Sequence, residues 1–471
     1  MIRWNLKIWI MAALCFLTSC EDWFDISPKS DLKAEDLFSN EQGFRDALIG
    51  SYALMSGTDL YGAQLTSTYM DVLGQYYATA SGTLNTFRYA STYDYTNTAE
   101  ETRINAIWKN LYNVIANLNG LLDRIDSQKN LFAEGNYELI KGEALGLRAY
   151  VSLDLLRLFA PSPAAGGLNS PAIPYVDTFT NQLFPRLTTG QVLERIESDL
   201  NQARALLART DPYGPRHKEF DLEHLTGIRR GRTFRMNYYA ATALLARTLL
   251  YRGGEDDLRQ AYTYATEVID CGLFPLIGSD DLNGSEDNGF VQENVFAIEH
   301  DGLKEDVADK YFYVPNTSNL MLAISSSTLN TIFPAALSSD YRRQWWLEQG
   351  GSYAVVAKYN YNNRVPLLKV SEMYLIAAET APDATLAATW FNTLLYHRGL
   401  PDEEINSNNL KEKLRKEYAK EFLAEGQLFY ACKRMNFDRR PILETALTDM
   451  QKAYVLPLPA ENTDFVSLTA N

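Results

Sequence analysis

The chain has 471 residues, of which 46% are hydrophobic, and a formal net charge of -15. This length is enough for one large domain or for two to three smaller ones, and the apolar content is enough for a packed core. The charge argues against a nucleic-acid partner, because binding phosphates requires clustered Lys and Arg, and the basic runs are only pairs such as Arg229-Arg230.

The N-terminus has the pattern of an export signal. Two basic residues come before the apolar run 8–17, which is too short to span a bilayer as an ordinary transmembrane helix. The next residues, Leu17-Thr18-Ser19-Cys20, match the lipobox of bacterial lipoproteins. We therefore expect residues 1–19 to be a cleaved signal peptide and Cys20 to carry the lipid anchor. A plain secretory signal with an accidental cysteine is the alternative.

The spacing of apolar residues predicts long helices in the first third of the chain. The first covers Glu41 to Met55, and a second covers roughly Ala63 to Tyr77. Ser81 to Thr98 has no helical period and is dense in Tyr, Thr, Ser and Asn, so we expect a long loop. Helices then run from Arg103 to Ile125 and from Ile140 to Phe159.

The rest of the chain predicts paired helices around an irregular segment. Thr188 and Gln191 have capping-box spacing at the start of a further helix. Residues 232–271 and 370–396 resemble tetratricopeptide units, in which small residues let two antiparallel helices approach closely. Residues 272–365 are irregular, with a short strand at 295–298, and a last helix covers Leu410 to Tyr430. The predicted fold is mainly α: a tetratricopeptide-like helical-repeat scaffold with long irregular loops and few short strands.

Neither a metal site nor a catalytic motif is visible in the sequence. The four histidines lack metal-ligand spacing, and the motifs of zinc proteases, serine hydrolases and P-loops are absent. We therefore expect no metal, no cofactor and no enzymatic activity. Acidic residues are numerous enough to leave a helical glycoside hydrolase open as an alternative, because such an enzyme needs only two carboxylates about 5–10 Å apart. Cys271 and Cys432 are expected to be buried free thiols, although a single disulfide between them is conceivable from sequence.

Seven segments resemble motifs of the SusD/RagB family of outer-membrane nutrient-binding lipoproteins, and they follow one another along the chain in the family's order. Gly142–Tyr150, similar to the family's "GEA.flRA" helix, is the most specific. The others are Phe44–Tyr52, Trp108–Asn119, Leu245–Leu250, Glu372–Glu379, Glu417–Arg434 and Val455–Pro459. The tail Asp464–Asn471 departs from the family's usual Asn-Pro-Gly-like ending, and the chain is rather short for the family.

The resemblance implies that residues 20–471 form a single SusD-like α-helical domain anchored to the outer membrane and facing the cell exterior. It also implies a non-catalytic protein that captures an oligosaccharide and delivers it to a SusC-like TonB-dependent barrel. A peptide ligand, as in RagB-like members, and a helical-repeat adaptor are the alternatives. The identity of the ligand stays open.

The resemblance places ligand-binding loops by region only, so the candidate residues come from loop composition. Aromatic rings can stack on sugars, and Asp and Arg can bond hydroxyls, on loops held by a rigid scaffold. We expect Tyr89, Tyr93 and Trp346 to form a shallow platform, unless these rings instead pack their loops onto the scaffold. The complete set of candidates is Asp59, Tyr61, Asp71, Tyr89, Tyr93, Tyr95, Arg343, Trp345 and Trp346. Glu143, Arg148 and Glu372, which lie within packed helices, are expected to form structural ion pairs.

Overall fold

The computed structural model describes residues 35–77, 85–282, 288–312 and 322–459. The predicted signal peptide 1–19 and the lipid attachment at Cys20 lie outside these residues.

Helices make up most of the described chain, so the predicted mainly α class is confirmed. In chain order they are α1 (Glu41–Met55), α2 (Tyr69–Leu73), α3 (Thr98–Ile125), α4 (Asn136–Phe159), α5 (Pro163–Gly166), α6 (Thr189–Thr210), α7 (Tyr238–Arg252), α8 (Glu255–Asp270), α9 (Ser279–Leu282), α10 (Ser326–Ile332), α11 (Tyr341–Trp345), α12 (Val370–Thr380), α13 (Ala384–Tyr396), α14 (Leu410–Glu421), α15 (Gln427–Arg434) and α16 (Met450–Tyr454). A π-helical segment covers Lys304–Phe312.

The scaffold is built around α4, which is buried along most of its length and packs against α3 and α6. The predicted capping box opens α6, because the Thr188 hydroxyl accepts from the Gln191 N–H while the Gln191 side chain accepts from the Thr188 N–H. The contact with α4 is close: a Cβ on Gly142 would lie 2.7 Å from Cγ of Leu207.

Both predicted helix pairs are present, and they stack on each other. Helices α7 and α8 pack together across a turn at Gly253, which adopts a φ of 79° that favours glycine. Helices α12 and α13 form the second pair, and α12 packs against α8. The tetratricopeptide-like stack is therefore continuous through these four helices.

Most of the short strands lie within residues 272–365, the segment that we predicted to be irregular. The predicted strand at 295–298 is part of β3 (Asn294–Glu299), which pairs antiparallel with β7 (Arg364–Lys369). A small sheet has the strand order β4-β6-β5, and β1 pairs with β2. The bounds of these strands are Pro171–Pro174 for β1, Arg186–Thr188 for β2, Ile324–Ser325 for β4, Leu347–Gly350 for β5 and Tyr353–Val356 for β6.

Two predicted helices differ from the structure. Only Tyr69–Leu73 of the expected helix 63–77 is α-helical, because the chain before it forms successive turns, such as the bond from the Gly62 N–H to the Gly57 carbonyl. The expected helix 410–430 is interrupted after Glu421, since Ala424 has a φ of 63° and Gly426 a φ of 71°.

Cys271 and Cys432 are both free thiols, as expected; Cys432 is buried and Cys271 is half-buried. Within the described ranges, no helix combines the length and apolar content needed to cross a membrane.

Candidate functional site

Two of the candidate residues stabilise turns instead of facing solvent. The buried Tyr61 hydroxyl donates to Oδ2 of Asp154 at 2.8 Å. Asp71, also buried, accepts from the backbone N–H groups of Ala424 (2.6 Å) and Gly426 (2.9 Å). Burial raises the pKa of Asp71 well above its usual value, although these two hydrogen bonds act in the opposite direction. The expectation that Asp71 contacts a ligand is therefore wrong for this structure, because its oxygens stabilise the interruption between α14 and α15.

Trp346 is fully buried, so it does not belong to an exposed platform. Its ring lies 5.0 Å from that of Phe290, and the Lys358 ammonium lies 3.7 Å from its centroid. The neighbouring Trp345 and Arg343 are half-buried, and Arg343 donates to the Phe333 carbonyl. The 340–346 segment therefore places one of its two tryptophan rings in the core.

The hydroxyls of Tyr93 and Tyr95 hold their loop against the scaffold through hydrogen bonds. The Tyr93 hydroxyl donates to the Leu73 carbonyl at 3.0 Å, and the Tyr95 hydroxyl donates to the Ala453 carbonyl at 2.9 Å. Burial raises the pKa of both phenols, so both are neutral donors. The expected platform of Tyr89, Tyr93 and Trp346 is wrong, because only Tyr89 retains appreciable exposure.

Four candidates retain solvent exposure: Asp59 is exposed, and Tyr89, Arg343 and Trp345 are half-buried. Asp59 accepts from Nδ2 of Asn110 at 3.4 Å. The Arg88 guanidinium lies 4.5 Å from the centroid of the Tyr89 ring and donates to its hydroxyl at 2.6 Å. This contact holds the Tyr89 ring and the Arg88 guanidinium side by side at the surface of the 85–97 loop.

The π-helical segment Lys304–Phe312 packs against the same loop. The rings of Phe87 and Tyr311 are 5.9 Å apart, and the Arg103 guanidinium lies 4.7 Å from the Phe87 centroid. Exposed Lys310 lies 5.1 Å from the Tyr311 ring. We name the accessible residues Thr86, Arg88 and Tyr89 the Tyr89 face. Sequence reasoning missed the contribution of 304–312, although Tyr311 and Phe312 lie in an aromatic run that signals a contact.

A cleft of about 1140 Å³ opens at the other end of the 85–97 loop, where Tyr95 and Thr96 form part of its wall. Its apolar wall includes Phe159 and several prolines, and its polar groups come from residues such as Asn105 and Arg186. Ligand pockets typically combine these features, with a volume of about 300–1,000 Å³. The last described residue, Pro459, is also part of the wall.

The charged residues of the packed helices form ion pairs, as expected. Arg148 pairs with Asp199 at 2.7 Å, Glu372 pairs with Arg247 at 2.6 Å, and Glu143 pairs with buried Arg232. In the part of the chain that the structure describes, no group of three or more His, Cys, Asp or Glu side chains could hold a metal ion.

Comparisons with known proteins agree with this architecture. The family model SusD-like 3, described as "Starch-binding associating with outer membrane", matches residues 22–216. A SusD-like protein of Formosa agariphila is 22% identical over 206 residues, which are 42% of this chain but only 36% of that relative's length.

Solved structures match over almost the full length. A SusD superfamily protein from Bacteroides thetaiotaomicron has a TM-score of 0.70 at 21% identity, and the match covers 90% of this chain and 98% of that one. A SusD-like carbohydrate binding protein from Bacteroides vulgatus has a TM-score of 0.70 at 18% identity, covering 91% and 97%. At these identities the structures establish the fold. The family model and the relative thus show that part of this chain is similar to SusD-like proteins, in agreement with the sequence motifs, and the structures show that the fold is similar over nearly all of it.

Proposed function

We propose that this protein is a surface glycan-binding lipoprotein that holds an oligosaccharide at the 85–97 loop and passes it to a SusC-like TonB-dependent transporter. The observation on which the proposal rests is the ordered Arg88–Tyr89 pair at the accessible edge of a rigid helical scaffold. A preordered aromatic ring loses little conformational entropy when a sugar ring stacks on it. The cleft beyond Tyr95 offers further polar groups to the same ligand.

The comparisons support the ligand class. The family description names starch binding and association with the outer membrane, and a structural neighbour is described as carbohydrate binding. The proposal extends these properties to the present chain. Lipid attachment at Cys20 would place the protein at the outer membrane beside its transporter.

The test is calorimetry of the purified protein against neutral oligosaccharides, acidic oligosaccharides and peptides. We expect an oligosaccharide to bind with a dissociation constant of roughly micromolar to millimolar. Tyr89→Ala should weaken binding by more than about fivefold, or about 1 kcal/mol, a loss that only a minority of contact residues exceed. Acidic sugars belong in the panel because Arg88 places a cation beside the Tyr89 ring.

Tyr396→Ala is the matched control, because Tyr396 lies on α13 and its exposed fraction is 73%. It should leave the affinity unchanged. If Asn105→Ala and Arg186→Ala weaken binding while Tyr89→Ala does not, the cleft is the site and the Tyr89 face is not. Binding of peptides alone would contradict the glycan proposal, and release of sugar products would contradict the absence of catalysis.

Membrane attachment has its own measurement. Cys20→Ala should abolish incorporation of a labelled fatty acid and move the protein from the outer-membrane fraction to the soluble fraction. Unchanged partitioning would contradict the lipid anchor without bearing on the glycan site.

A further inference from the structure

A small, partly open cavity lies where α4, α7 and α15 meet. Its volume is about 30 Å³, and the residues around it include Arg157, Arg247, Tyr251, Tyr430 and Arg434. This volume is close to the share of one water molecule in the liquid, so the cavity has room for one water or for a monatomic ion of similar size. The cavity is separate from both the Tyr89 face and the cleft, because it shares no residue with either.

Four hydrogen-bond donors around this cavity have no partner among the described residues. They are Nε of Arg157, Nη1 of Arg247 and the hydroxyls of Tyr251 and Tyr430. All four side chains are buried, with exposed fractions of 2–5%. Buried polar groups are nearly always paired, so a cluster of unpaired donors around one void indicates a missing acceptor.

The carboxylates near the cavity are already paired with the arginines. Both Glu372 oxygens accept from Arg247, at 2.7 and 2.6 Å, although Glu372 itself lines the cavity. Asp154 accepts from Nη2 of Arg157. Each salt bridge uses one side of its guanidinium and leaves a donor on another side unpaired.

Arg157, Arg247 and Arg434, which line this cavity, are paired with the carboxylates of Asp154, Glu372 and Glu379, respectively. Burial lowers the pKa of Lys433 well below its usual value, and the charge of Arg157 lowers it further. The Lys433 side-chain nitrogen donates to the Arg157 backbone carbonyl at 2.5 Å. Arg247 likewise acts to lower the pKa of Arg157, which indicates repulsion between the two guanidinium groups.

A water molecule satisfies this site less completely than an anion does. Water could accept from the two guanidinium N–H groups and donate to the two phenol oxygens, which would leave both phenol hydrogens without an acceptor. A spherical anion accepts from all four donors and also offsets the repulsion between Arg157 and Arg247. We propose that this cavity binds a monovalent anion of the size of chloride, which links α4, α7 and α15.

Bromide provides a direct probe, because its anomalous scattering distinguishes it from water. Crystals of the protein soaked in sodium bromide should show an anomalous peak between Arg157, Arg247, Tyr251 and Tyr430. Density in the cavity without an anomalous signal would identify water, and it would overturn the proposal. Peaks confined to the protein surface would overturn it as well.

Thermal unfolding tests the same site in solution. At constant ionic strength, replacing sodium gluconate by sodium chloride should raise the Tm of the wild-type protein by about 1–2 °C per tenfold increase in chloride above the dissociation constant. The double variant Tyr251→Phe/Tyr430→Phe keeps both rings but removes two donors, so this chloride dependence should fall by at least half.

Tyr69→Phe is the matched control. The Tyr69 hydroxyl is also buried without a partner among the described residues, but it lies beside Arg103 instead of this cavity. The control should keep the wild-type chloride dependence. A chloride dependence that is the same in the double variant and in the wild-type protein would contradict the proposed site.

Discussion

At the scale of single residues, Lys358 is a lysine buried completely within the protein. Its ammonium pairs with Glu425 and lies 3.7 Å from the centroid of the Trp346 ring. Burial lowers the pKa of Lys358 to about 8, whereas an unfolded chain has a lysine pKa of about 10.4. Between these values the unfolded chain binds a proton that the folded protein does not, so the free energy of unfolding rises with pH across this window.

Lys358→Met tests this titration. The free energy of unfolding of the wild-type protein, minus that of the variant, should increase by about 1 kcal/mol per pH unit between pH 8 and pH 10. Urea unfolding at pH 7, 8, 9 and 10 measures it. Lys310→Met removes an exposed lysine and serves as the control. A difference that stays constant with pH in Lys358→Met would contradict the lowered pKa.

Trp346 explains why loop composition predicted the binding residues poorly. An aromatic ring within an irregular segment can face solvent or the core, and only its tertiary neighbours decide which. The neighbours of Trp346 are Phe290, Lys358 and Lys369, which are distant in sequence. Tyr89 also lies in an irregular segment rich in polar and aromatic residues, but it is at an accessible edge of the scaffold. Residue composition alone therefore could not distinguish the exposure of Tyr89 from that of Trp346.

At the scale of elements, glycine decides how closely α4 approaches α6. A Cβ on Gly142 would lie 2.7 Å from Cγ of Leu207 and 3.2 Å from the backbone oxygen of Ala203. Gly142→Ala should therefore lower the free energy of unfolding by about 1–3 kcal/mol, the usual result of overpacking a core. Chemical denaturation followed by circular dichroism measures the change.

Gly50→Ala makes the same substitution on the exposed side of α1. A Cβ on Gly50 meets no atom within 4 Å. The variant should gain about 0.5–1 kcal/mol, because alanine has the higher helix propensity. Opposite signs for the two variants would support close helix packing at Gly142, whereas a gain in both would contradict it.

Helix positions were largely predictable because the apolar stripes of the long helices are local patterns. The bounds of α1 match the prediction, and the capping box fixed the start of α6. The interruption between α14 and α15 was not predictable, because the hydrogen bonds that stabilise it come from Asp71, more than three hundred residues earlier. Long-range partners of this kind leave no periodic signal in the sequence.

At the scale of the whole molecule, one buried ion network joins elements from separate parts of the chain. The Glu421 carboxylate accepts from Lys369 at 2.8 Å, from Arg342 at 2.9 Å and from Arg398 at 2.9 Å. Arg398 also pairs with Glu293, at 2.7 Å. The network thus connects α11, β7, α14 and the segments that flank α13 and β3. These partners lower the pKa of Glu421 well below its usual value, although burial alone would raise it.

Glu421→Gln should lower the free energy of unfolding by about 3–5 kcal/mol, because three buried cations each lose one of their carboxylate partners. Glu412→Gln is the control. Glu412 pairs with Arg415 and Lys416, and its side chain is 52% exposed. Its replacement should therefore lower the free energy of unfolding by less than about 1 kcal/mol.

If residues 20–471 form a single domain, the Glu421→Gln variant should unfold in one calorimetric transition, shifted as a whole and with equal calorimetric and van't Hoff enthalpies. A shift confined to one of two resolved transitions would mean that the network stabilises only part of the chain, and the single-domain prediction would be wrong.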